Sequence, residues 1–96
     1  MSTAVDLVDI GTLITRTPGI KGGVPHIAGT GVTVHRVASW YKQGLSPDEI
    51  AEQFGHLSLA QVHAALTYYH VNRAQIEALL EAELAEHDRL AREFPR

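Results

Sequence analysis

Two serines, twelve residues apart, constrain the middle of this chain more than any other feature. Ser46-Pro47-Asp48-Glu49 and Ser58-Leu59-Ala60-Gln61 share one grammar. The serine hydroxyl caps a helix start, and the Glu or Gln three residues on reaches back to the serine N–H. Pro47 suits a first helical position, where no N–H is needed. Gly55 falls between the two signatures and is a natural helix stop. The spacing therefore predicts a helix of only two turns, a four-residue turn and a second helix. Ile50, Ala51 and Phe54 form the inner face of the first. Leu59, Val62, Leu66 and Tyr69 form that of the second, over about residues 59–70.

The flanking segments extend the pattern. Thr33 can cap an earlier helix over 34–42, with Val34, Val37, Ala38 and Tyr41 as its apolar stripe and Gly44 as its end. A last helix is expected over 73–93, carrying Ile76, Leu79, Leu80 and Leu84 on one side. A break is placed at Val71-Asn72, with Asn72 and Gln75 as a capping pair. Three short helices with three- to four-residue connections give a helix-turn-helix bundle, whose third helix would be the recognition helix.

The stretch PGIKGGVPHIAGTGVTV, residues 18–34, holds five glycines and two prolines. A phosphate loop would need a lysine after its last glycine and a helix starting at once. A dinucleotide fingerprint would need a third glycine where Val34 stands. Neither requirement is met. The stretch reads as a scaffold of turns, with short extended pieces at residues 13–15 and 24–27 pinned to a core by Ile and Val side chains. The expected architecture is mainly α: short extended pieces broken by turns, a three-helix helix-turn-helix unit and a longer C-terminal helix. Its parts are a lead-in over 1–11, a domain of extended pieces and helix-turn-helix over 12–72, and a terminal helix over 73–96.

Composition narrows the function. Ninety-six residues make one domain, small enough to bury only about 60–70% of its unfolded surface and so to gain from a partner or twin. The chain has no cysteine, which excludes disulfides, zinc thiolates and cysteine nucleophiles and suits a reducing cytoplasm. No apolar run has the roughly 18 residues a membrane span needs. The first eleven residues lack the basic start of a secretory signal. The six histidines form no i, i+3 or i, i+4 pair, so no metal or other cofactor is expected. Ser46 and Ser58 are caps, and Asp48 and Glu49 complement a helix N-terminus. No enzyme constellation remains.

The third helix would present Gln61, His63, Ala64, Thr67 and Tyr68 to DNA, with Arg36 and Lys42 touching phosphate. It carries no Arg or Lys of its own, although bidentate Arg or Lys on guanine is the commonest base contact. A lone subunit would therefore bind weakly, and a homodimer better. A twenty-residue helix spans about 30 Å, more than such a bundle needs. Its apolar residues Ile76, Leu79, Leu80, Leu84, Leu90 and Phe94 are candidates for holding another chain, either the same protein or a partner. Residues 72–96 carry six acids against four bases.

ITRTPGIKGGVPHIAGTGVTVHRV, followed by GLSPDEIAEQFGHLSLAQVHAALTYY, resembles the bacterial family of domain of unknown function 433. The resemblance covers about residues 13–82 and rests on the order GG-x-P-x-I-x-GT and the G-x-S-P-x-E-I capping turn. Two positions depart from the family pattern: Gly31 stands for its arginine, and Gly55-His56 replaces the proline before its leucine-threonine turn. The resemblance implies that residues 12–72 form a homeodomain-like, winged or hairpin-fronted helix-turn-helix domain with a short N-terminal β-hairpin, and that the chain is a VapB-like antitoxin of a type II toxin–antitoxin pair. Such a protein would neutralise a PIN-like nuclease toxin and repress their shared operon by binding operator DNA. The alternative is a protein-interaction module on the same fold that does not bind DNA.

Overall fold

The structure, a computed structural model, describes residues 7–19 and 21–93. Strand β1 (Ile14–Thr15) pairs antiparallel with β2 (His26–Ile27), placing Ile14 opposite Ile27 and Thr15 opposite His26. Helices α1 (Val34–Lys42), α2 (Pro47–Phe54), α3 (Leu59–Val71) and α4 (Arg73–Glu93) follow. The expected mainly helical fold with a short N-terminal hairpin is what forms.

The helix starts obey the local rules. The Ser46 and Ser58 hydroxyls accept from the Glu49 and Gln61 N–H groups, and those two side chains accept from the serine N–H groups in return. Thr33 accepts from the Arg36 N–H. Gly55 ends α2 at φ 73°, a left-handed conformation that any side chain would strain.

The glycine-rich stretch is structural. Gly29 turns the chain at φ 77°. Thr30 closes that turn by donating to the Ile27 carbonyl and accepting from the Val32 N–H. The Val34 N–H then donates to the Pro25 carbonyl. The hairpin is thereby tied to the first residue of α1, and Ile27 is delivered fully buried to the core.

That core joins Ile27 to Val34, Val37 and Ala38 of α1, Ile50 of α2, Val62, Ala65, Leu66 and Tyr69 of α3, and Ile76 of α4. Two expected core assignments and one outward one need correction. Leu59, the first residue of α3, points away from the bundle and is 43% exposed; Leu57, in the preceding turn, is buried in its place. Tyr41 is exposed. Ala64 packs inward and is buried, so α3 is covered on a broader face than the Leu59-Val62-Leu66-Tyr69 stripe predicts.

The break between α3 and α4 is real, and it is one residue long. Asn72 has φ −118° and ψ 43°. It does not cap α4 as expected. Its Nδ2 and its backbone N–H both donate to the Tyr68 carbonyl, so it closes α3. Beyond it α4 packs on α1 and α3 and then runs past the bundle, exposed from Glu81 to Glu93.

Leu79 and Leu80 are half-buried against the core and Ile76 is fully buried, whereas Leu84 is 63% exposed. The Ile76→Ala variant should lose about 2–5 kcal/mol of stability. Leu84→Ala should lose less than about 0.5 kcal/mol. Urea unfolding of the two variants measures both.

Candidate nucleic-acid and partner surfaces

The outward side of α3 differs from its sequence-based reading. His63 and Thr67 are exposed as expected. Gln61 is occupied, because its Oε1 accepts from the Ser58 N–H at 2.7 Å. Ala64 is buried, and Tyr68 is half-buried against the core. The free row on α3 is therefore His63, Thr67 and His70, with Val71 beside it. A cleft of about 340 Å³ adjoins that row, lined by Ile10, Ile14, Thr67, Tyr68 and Val71. Ile10 and Val71 are both largely exposed, so this flank of α3 is apolar as well as polar.

Of the two cations expected at phosphate, Arg36 is exposed. Lys42 is engaged: its Nζ donates to Glu77 Oε1 of α4. Tyr69 of α3, whose ring is fully buried, donates its hydroxyl to Glu77 Oε2. Arg73 adds to this junction, with its guanidinium 5.3 Å from the centre of the Tyr69 ring and its Nε donating to the Tyr69 oxygen. The exposed Tyr41 ring stands edge-on to His70 at 5.5 Å. Sequence reasoning missed this junction of α1, α3 and α4, whose partners lie up to 35 positions apart. Only Tyr69 and Arg73, four apart on adjoining helices, offered a local hint.

The second tether of α4 lies at its middle. His35 of α1 is buried, and its Nε2 donates to Glu83 Oε2 at 2.9 Å, since a carboxylate can only accept. The other ring nitrogen, Nδ1, is buried without a partner. From Glu81 to Glu93 every residue of α4 is exposed.

The residues expected to hold a partner thus divide. Ile76 belongs to the chain's own core, and Leu79 and Leu80 pack against it. Leu84 and Leu90 are available, and Phe94 lies outside the described residues. No group of three His, Asp or Glu able to hold a metal occurs among the described residues. No helix among them is long and apolar enough to cross a membrane.

The family model described as protein of unknown function, DUF433, matches residues 14–69. The chain belongs to the DUF433 family. A crystal structure of a DUF433 member protein from Anabaena variabilis is similar to it, with 28% identity over 73% of this chain and 69% of that one, and a TM-score of 0.68. No functionally curated protein matches. The DUF433 match spans β1 through the buried Tyr69. It therefore takes in the hairpin, the capping turns and most of α3, while α4 begins beyond it.

The polar junction makes stability depend on pH. Hydrogen bonds from Lys42 and from the Tyr69 hydroxyl hold the Glu77 carboxyl below the usual glutamate range. A carboxyl depressed in the folded state stabilises above its ordinary value, about 4.3. That contribution is lost as pH falls through the depressed folded value. Lys42 is raised in turn by Glu77, so its contribution is lost only in alkali. Glu77→Gln should lower the melting temperature near neutral pH. It should also flatten the decline of that temperature in acid, measured by thermal melts from pH 3 to 7.

Proposed function

We propose that this DUF433 protein is an antitoxin of a type II toxin–antitoxin pair, acting in the cytoplasm. It neutralises a nuclease toxin of PIN-like fold through α4 and binds operator DNA as a homodimer through α3. The observation that carries the toxin arm is α4 itself. Its first two turns complete the bundle, and its last thirteen residues, 81–93, are exposed and carry Leu84 and Leu90 with no core to enter. A helix laid in a partner's groove is a standard mode of recognition.

The DNA arm rests on the helix-turn-helix order of α2 and α3 and on the free row His63, Thr67 and His70. Histidine and threonine can hydrogen-bond to base edges or phosphates. A specific observation favours the rival reading, a protein-interaction module without DNA. α3 carries no lysine or arginine, Lys42 is committed to Glu77, and the cleft beside Thr67 is lined by apolar side chains.

Two experiments separate these readings. In co-expression with the product of the adjacent gene, the full chain should form a stable complex and suppress that product's toxicity. A chain stopped after Leu80 should stay folded and lose suppression. In a gel shift with the DNA upstream of its own gene, the full chain should bind at low salt and release at high salt. His63→Ala with Thr67→Ala should weaken that binding by about tenfold, the equivalent of roughly 1.4 kcal/mol. Absence of any shift at low salt would select the interaction module.

A further inference from the structure

The inward face of α4 does not end where the bundle ends. At 3.6 residues per turn, Ile76, Leu79, Leu80 and Glu83 share one side of the helix, the side that meets the core and His35. The same side continues through Leu84, His87, Leu90 and Ala91. Residues 81–93 make about 20 Å of helix, and a helix of that length is marginal alone in water. The exposed stripe has the pattern of a core face.

Its borders are acidic. Glu81 and Asp88 flank one edge, Glu86 and Glu93 the other. Residues 81–93 hold five carboxylates and two arginines. One of those arginines is already taken, because Arg89, on the back of the helix, bridges Glu86 and Glu93. At the crook where α4 leaves the bundle, Ser39, Lys42 and Gln43 of α1 face Leu80, Glu83, Leu84 and His87 across an open cleft of about 530 Å³. A rod-like apolar object lying along the stripe would end in this cleft.

We infer that the occupant is an amphipathic helix of a basic protein partner. It places apolar side chains along Leu84, His87 and Leu90, with its end in the crook beside Leu80, and lysines or arginines against Glu81 and Asp88, the carboxylates that Arg89 leaves free. This rests on the partner-binding reading above and gives that partner its chemistry. A second copy of the chain fits less well. In an antiparallel pair related by a two-fold axis, each edge of the stripe meets its own counterpart. Asp88 would then face Asp88 near the axis. Like charges directly opposed are destabilising.

The test titrates the purified product of the adjacent gene into the full chain by calorimetry, at low and at high salt. Light scattering follows the mass of each species, and circular dichroism checks that each variant is folded. The variants are Leu84→Lys, the double reversal Glu81→Lys with Asp88→Lys, and Glu52→Lys on the exposed side of α2 as a charge control. The wild type should bind more weakly at high salt. Leu84→Lys and the double reversal should each raise Kd by about tenfold or more, and Glu52→Lys should leave it unchanged. Binding that all variants retain would overturn the inference and leave the antitoxin reading intact, with the contact elsewhere. No binding by the wild type would remove that reading and the inference with it. A wild-type dimer that Leu84→Lys splits into monomers would make a second copy the occupant and overturn the inference.

Discussion

A buried tyrosine decides where the last helix goes. Tyr69 brings a fully buried ring into the core, and a tyrosine hydroxyl taken from water needs a hydrogen-bond partner. Glu77 supplies it and in turn takes Lys42. One carboxylate from α4 therefore binds α3 and α1 at once, one residue after Ile76 enters the core. The single-residue break at Asn72 lets α4 reach this position instead of continuing α3 as a rod. Everything that follows along α4, including the His35–Glu83 contact and the projection beyond it, inherits its direction from this junction.

Much of the fold was legible because its signals are local. A capping box spans four residues and a glycine stop one, and both were visible at Ser46, Ser58 and Gly55. The glycine-rich stretch was legible by elimination, since it lacks the lysine of a phosphate loop and the third glycine of a dinucleotide fingerprint. What failed was non-local. Leu59 lies at the right spacing for an inner face but in the first turn of α3, where the bundle does not reach, while Leu57 folds in from a turn that carries no periodicity. Ala64 was read as outward from helical phase alone, but α3 is enclosed on a wider arc. Lys42 looked free because its partner lies 35 residues away.

The same distinction governs the candidate surfaces. Periodicity placed Ile76, Leu79, Leu80 and Leu84 on one side of α4 but could not say where the bundle would stop covering them. The structure puts that limit after Leu80, and it turns one apolar stripe into two parts with different roles. The first part is core, and its substitution costs stability. The second part is surface, bordered by carboxylates, and its substitution is expected to cost binding alone. On α3 the free row is small and carries no lysine or arginine, so any DNA affinity depends on cations from elsewhere.

The central claim is that α4 is one helix with two fates, and amide hydrogen exchange on the isolated chain tests it most directly. Amides of α3 and of residues 76–80 should exchange only through global unfolding, whereas those of residues 85–93 should exchange orders of magnitude faster through local opening. Uniform slow exchange through residue 93 in a monomer would contradict the account, because the distal stripe would then be stable without a partner.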